Sequence, residues 1–214
     1  YTVNDGLFTL HIAKKICVDL NKKFSIDVFI GKPNFIRKIK VLLVFILFGS
    51  FSNLIFLFKK RAKLNDLSEI KNVNIINHNK KNYYFGLSMN YPKKIILKNY
   101  NIYNFHLGNF INQRGSFIFF YKYLYNWKTL DLTFHKINNK YDSGHILNQK
   151  TENIKNKNAT DICLLYNSNY KFIKKSIGKI TLKNKKKLIY GDLNIEPSFY
   201  LIMKVYILKT FKIY

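Results

Sequence analysis

Apolar positions along the chain fall in short dense runs separated by stretches rich in Asn and Lys, and the runs in the last third have the clearest order. Asp161-Ile-Cys-Leu-Leu-Tyr-Asn167 reads as a buried strand, Tyr170–Ile177 as a helix, and Leu188-Ile-Tyr190 as a second strand running into Gly191-Asp-Leu-Asn-Ile-Glu-Pro197. Two short strands joined by a helix make a βαβ unit, which implies a parallel sheet. The polar cluster after the second strand falls at its carboxyl end, where doubly wound sheets place binding groups.

Upstream, Ile16-Cys-Val-Asp-Leu20 reads as a first strand, and residues 24–40 follow a loose helical pattern broken by Gly31 and Pro33. Val44–Phe48 reads as a strand, followed by a helix over 54–64. Residues 65–94 read as an inserted loop, and Ile95–Phe105 as another strand. Residues 113–150 are dense in aromatics, residues 150–160 form a linker, and Tyr200–Tyr214 is a helical or strand-like tail. The expectation is one α/β domain over 1–214, with a Rossmann-like or flavodoxin-like parallel sheet flanked by helices. In it Val44–Phe48, Ile162–Leu165 and Leu188–Tyr190 should be adjacent parallel strands.

The run Val41–Phe58 has basic residues on both sides and approaches the length of a membrane-spanning helix. Gly49-Ser-Phe-Ser-Asn53 interrupts it with turn-forming residues, so strand–turn–helix is favoured over a span. A subunit of an organelle-encoded membrane complex, spanning at 41–58, is the alternative. The start, Tyr1-Thr-Val-Asn-Asp-Gly6, lacks the pattern of a secretory signal.

Charge changes the picture. The 214 residues carry 37 Lys+Arg against 11 Asp+Glu, a formal +26, with 48% hydrophobic residues. That imbalance points to a polyanionic partner. Lys, Asn, Ile, Phe and Tyr are also the residues of A+T-rich codons, so base composition raises Lys independently of binding, but it does not explain the scarcity of acids. Cys17 and Cys163 sit in apolar runs and read as buried small hydrophobes. The histidines at 11, 78, 106, 135 and 145 lack zinc-site spacing. No G-x-G-x-x-G or G-x-x-x-x-G-K-[ST] phosphate loop is present. Asp19, Asp161, Asp192 and Glu196 are conceivable acid–base groups, but strand-end carboxylates commonly cap helices and turns.

Several segments, in order, resemble a known family, the small ribosomal subunit protein two (bacterial S-two) family in a divergent organellar form. Ile16-Cys-Val-Asp-Leu-Asn-Lys22, Val44-Phe-Ile-Leu-Phe-Gly49, Tyr103-Asn-Phe-His-Leu-Gly-Asn-Phe-Ile-Asn112 and Asp192-Leu-Asn-Ile-Glu-Pro197 are each similar to a segment of that family. The resemblance spans residues 12–200 and places 113–159 at the family's helical hairpin, in degenerate form. It implies a non-catalytic constituent of the small ribosomal subunit in a mitochondrion, or alternatively a plastid. Small-subunit rRNA and neighbouring ribosomal proteins would be the partners, with no small-molecule substrate and no cofactor. Candidate RNA contacts are Lys59, Lys60, Arg61, Lys63, Arg114, Lys122, Lys128, Lys183, Lys185, Lys186 and Lys187, because Lys and Arg neutralise phosphates and release counterions. Aromatics beside Arg114 can stack on bases or fill an ordinary core.

Overall fold

A computed structural model describes residues 2–4, 9–31, 34–50, 52, 55, 65–76, 83–89, 101–138, 142–180 and 192–211. The first half alternates strand and helix: β1 (Thr2–Asn4), α1 (Thr9–Leu20), β2 (Ile26–Gly31), α2 (Phe35–Phe48), α3 (Asn65–Ser68), β3 (Val73–Ile76) and β4 (Gly86–Met89). The second half contains β5 (Ile102–Leu107), β6 (Arg114–Gly115), α4 (Ile118–Leu124), β7 (Thr129–Ile137) and β8 (Gly144–Asn153). It closes with α5 (Ala159–Cys163), α6 (Leu165–Ser168), α7 (Tyr170–Ile177), β9 (Leu193–Asn194) and α8 (Phe199–Thr210).

Seven strands form one sheet in the order β3-β2-β1-β4-β5-β7-β8. The five from β3 to β5 are parallel, and the β7–β8 hairpin extends the sheet antiparallel to β5. The order reverses between β1 and β4, the switch point of a doubly wound sheet. The expected fold class, a parallel sheet flanked by helices, is therefore present, but other residues build it.

Three of the expected strands are helical. Ile16–Leu20 lies in α1, Val44–Phe48 in α2, and Asp161–Asn167 across α5 and α6. In α1, Leu10, Ala13 and Cys17 are buried against Val28 and Leu67, whereas Ile12 and Ile16 enter the central core. Helical spacing thus serves two surfaces at once. α2 starts upstream of the apolar run, where the Asn34 side chain accepts from Arg37 N at 2.8 Å, and it stops at Gly49. A short continuous apolar run fits a buried helix as well as a buried strand, and here the cap decides. At α5 a capping box decides: Asn158 Oδ1 accepts from Asp161 N, and Asp161 Oδ2 accepts from Asn158 N, both at 2.9 Å. Ile162, Leu165 and Tyr166 then reach one core at spacings of three and four.

Residues 65–94 carry α3, β3 and β4, where a loop was expected, and 113–159 carry the β7–β8 hairpin, where helices were expected. Tyr170–Ile177 is the helix that the sequence predicts, and the tail is helical as α8. The strand expected at Ile95–Phe105 is seen as β5, and the part over 95–100 lies outside the described residues. Leu188–Tyr190 and most of the helix expected at 54–64 also lie outside them.

The central core joins Met89, Phe105, Leu130, Phe134, Ile162 and Ile173. Full burial of a side chain such as Phe134 contributes about 1.5–3 kcal/mol. Replacing Asn158 by Ala removes the α5 cap and should cost about 1 kcal/mol of stability in urea denaturation; an unchanged midpoint would contradict the capping box.

Candidate active site

β5 and β7 are paired with Asn104 opposite His135 and His106 opposite Thr133. Side chains alternate across a strand, so these four polar groups share one face and Tyr103, Phe105, Leu132 and Phe134 share the other. The apolar face enters the core, with the Phe105 and Phe134 rings stacked at 4.4 Å. On the polar face His106, Thr133 and His135 are also buried. Burying such groups is unfavourable unless each finds a partner.

Each does. Thr133 Oγ1 donates to Gly108 O at 2.6 Å. His135 Nδ1 lies 3.1 Å from Ser143 O. A carbonyl only accepts, so His135 carries its proton on Nδ1 and its Nε2 is an acceptor. Asn104 Nδ2 donates to that Nε2 at 3.1 Å, which fixes the orientation of the Asn104 amide. Burial, followed by the neighbouring His106, pulls the pKa of His135 down to about 3, so the ring stays neutral. Phe110 closes over it edge-on at 4.7 Å.

His106 stands at the carboxyl end of β5 and meets two acceptors. Its Nε2 lies 2.8 Å from Gln113 O, and its Nδ1 lies 3.4 Å from Asp142 Oδ1. Gln113 O only accepts, so the Nε2 of His106 donates to it. Two loops create this setting. After β5 the chain turns at Gly108, where φ is +135° and any Cβ would overlap Gln113 O, so residues 108–113 fold back onto His106. Gln113 anchors that loop by donating from Nε2 to Thr129 O at 2.7 Å. The second loop links β7 to β8 and ends in Asp142-Ser-Gly144. Asp142 has φ +39°, and Gly144 has φ +118° with no room for a Cβ beside Lys136 O. Arg114 Nε donates to Asp142 O at 3.1 Å and ties the loop to β6.

The result is an amide, an imidazole and a carboxylate converging at the carboxyl ends of the strands. The Asn104 amide can donate to a developing negative oxygen with the His106 imidazole beside it, and Asp142 can take a proton.

Of the expected RNA contacts, Arg114 belongs to this site. Lys122 is buried, its Nζ donates to Lys157 O, and burial lowers its pKa. Lys128 is exposed and donates to Asn126 Oδ1 at 2.7 Å. Lys59, Lys60, Arg61, Lys63, Lys183, Lys185, Lys186 and Lys187 lie outside the described residues. The aromatics after Arg114 pack inward: Phe117, Phe120 and Tyr121 are buried, and Tyr121 and Tyr123 donate to backbone carbonyls of Ile195 and Phe48. Asp161 serves its helix cap. Asp19 accepts from Tyr170 OH and from Lys174, which together hold its carboxyl below the usual range. Glu196 pairs with Arg37 at 2.9 Å and Lys40 at 3.1 Å, and Asp192 is exposed.

No family model matches the chain, and no curated protein matches it by sequence. Solved structures do. A 4-N formyltransferase from Francisella tularensis aligns with a TM-score of 0.56 at 17% identity, over 91% of this chain and 74% of its own. WlaRD, a sugar 3N-formyltransferase solved in the presence of dTDP and 5-N-formyl-THF, gives 0.55 at 19% identity, over 91% and 68%. An N-formyltransferase from Helicobacter canadensis, in complex with folinic acid and dTDP-3-aminofucose, gives 0.54 at 18%, over 98% and 81%. The chain has the formyltransferase fold.

That finding overturns the ribosomal reading. The three structures just described are formyltransferases and not members of the S-two ribosomal family, and with that family go the non-catalytic role, the rRNA and ribosomal-protein partners and the exclusion of a small-molecule substrate. The membrane-span alternative fails as well: among the described residues no helix is long and apolar enough to cross a membrane, and α2 ends at Phe48. Tyr103–Asn112, which the sequence likens to a segment of the S-two family, contains the Asn104 and His106 of the site.

The residues that were missed are Asn104, His106, His135 and Asp142. A signal existed: Asn104-Phe-His106 and Thr133-Phe-His135 both put two polar residues on one face of an apolar strand, and Asp142-Ser-Gly144 follows as a turn. Each pair alone is weak, and only their register makes them converge.

His135 gives a pH-dependent prediction. Unfolded, its ring protonates below the ordinary 6.5, whereas folded it stays neutral down to about 3. Its contribution to stability is therefore complete above 6.5 and is lost as pH falls through that window, where the unfolded chain binds the extra proton. Urea midpoints measured from about pH 7 to about pH 4.5 should fall more steeply for the native chain than for His135→Asn; equal slopes would contradict the buried neutral ring.

Proposed function

We propose that the protein is an N-formyltransferase, moving a formyl group from an N-formyl donor to the primary amine of an anionic acceptor. The observation that carries this is the convergence of Asn104, His106 and Asp142 at the carboxyl end of β5, in a fold shared with N-formyltransferases. Likeness at this level of identity supports the fold, and the chemistry rests on the three side chains.

The proposed reaction is addition followed by elimination. The amine nitrogen attacks the formyl carbon, and the carbonyl π pair moves onto oxygen. Asn104 has a second amide hydrogen beyond the one given to His135 and can donate it to that oxygen, with the His106 imidazole beside it. Asp142 accepts the proton that the attacking nitrogen loses. As the oxyanion re-forms the carbonyl, the bond from carbon to the donor nitrogen breaks, and that nitrogen takes up the proton held by Asp142, which returns to its starting state. The products are a formamide and the deformylated donor.

Folate compounds in the WlaRD and Helicobacter canadensis structures suggest an N-formyl tetrahydrofolate as donor. Those two structures also contain dTDP or a dTDP-linked amino sugar, and a chain of formal charge +26 is suited to an acceptor that carries phosphates. The chain's own part is to orient the amide and imidazole, hold Asp142 in place through Arg114 and shield the reacting carbon with Phe110 and Gln113.

The test is to incubate the protein with an N-formyl tetrahydrofolate and dTDP-3-aminofucose and to follow formylated product by mass spectrometry. His106→Ala and Asp142→Asn should each lower kcat by about 10²-fold or more, with KM for the amine changing far less. Full activity in both variants would refute the assignment, as would an absence of product from the native chain across amine acceptors.

A further inference from the structure

One surface feature is unused by the proposed chemistry. α2 carries Arg37, Lys38 and Lys40 in its first turns, yet its outward side also bears Phe35 at 76% and Ile46 at 62% exposure. α8 does the same with Tyr200 at 74% and Phe211 at 69%, and with Ile207 between them. Large exposed apolar patches mark interaction sites.

The two helices form a single surface. Lys40 lies over the Phe199 ring at 5.4 Å, and the Phe48 and Tyr206 rings meet at 5.9 Å, so α2 and α8 run side by side in the same direction. Their buried residues, Val44, Phe45 and Phe48 on one and Ile202 and Val205 on the other, enter the same cluster beneath them. Two parallel helices resting on one support turn their opposite sides the same way. The exposed stripes are therefore coplanar neighbours.

Charge selects the occupant. Neither helix contains Asp or Glu, and Lys38 and Lys204 are exposed at the borders of the stripes. Seating a second copy on this face would bring two chains of formal charge +26 together along lysine rims. An anionic bilayer surface accepts both features: apolar side chains enter the boundary between headgroups and acyl chains, and lysines meet the phosphates. We propose that α2 and α8 form a docking face for an anionic lipid bilayer and lie in its interface. They do not cross it, since α2 has 14 residues and α8 has 12, too few for a span.

The test uses the intact chain in vesicle co-sedimentation, with phosphatidylcholine alone or mixed with about 30% phosphatidylglycerol. The expected result is binding to the mixed vesicles that weakens with salt, and little binding to phosphatidylcholine. Ile46→Ser with Ile207→Ser, both at exposed positions, retains the net charge and should lower the anionic-vesicle affinity about tenfold while circular dichroism is unchanged. Three results would overturn the proposal: equal binding to both vesicle types, an unaffected double variant, or no vesicle binding together with a dimer in sedimentation velocity that the same substitutions dissolve. Formyl transfer by the soluble protein is a separate readout, so failure of one proposal leaves the other standing.

Discussion

The register between β5 and β7 is the constraint on which the site depends. With Phe105 opposite Phe134 inside the core, Asn104 must face His135 and His106 must face Thr133 on the other side. A slip by one residue would put both histidines into the apolar core and expose the phenylalanines, so hydrophobic burial and hydrogen bonding enforce the same pairing. The register also fixes where the hairpin turns. That turn delivers Ser143 O to His135 and Asp142 to His106. The chemistry is thus mounted on rigid sheet, and its polar atoms are held by backbone carbonyls.

This arrangement explains why a neutral histidine and one facing two acceptors coexist a few ångströms apart on the same face. His135 is enclosed and has one carbonyl to satisfy, so burial dominates and the ring stays uncharged. His106 stands at the strand end between a carbonyl and a carboxylate. Environment alone divides the two rings: one orients Asn104, and the other is held between Gln113 O and Asp142. Arg114 joins the same assembly from β6, although its type had pointed to phosphate.

Much of the architecture was legible and much was misassigned, for identifiable reasons. Tyr170–Ile177 has clear helical spacing, and Gly49 does end the apolar run of α2. Val44–Phe48 and Ile162–Leu165 are each four or five apolar residues long, and over that length strand and helix periods cannot be separated. Their helical character comes from caps at Asn34 and Asn158, several residues upstream. The ribosomal resemblance drew on short segments whose order was suggestive, but Asp192–Pro197 works here through Glu196, which ties α2 to the β9 segment by ion pairs. The charge of +26 strengthened that reading, because net charge reports the sign of a partner and not its identity.

By itself the sequence determined that this chain folds around several apolar segments, that alternating strands and helices build an α/β sheet, and that its surface is strongly cationic. Those properties follow from composition and local spacing, which act over a few residues. Only the tertiary structure decided that Asn104, His106, His135 and Asp142 form one site, and that the outer sides of α2 and α8 form one surface. Both depend on contacts between residues far apart in the chain: strand register in the first case and the shared support of two parallel helices in the second. Neither is set by the identity of the residues on either side.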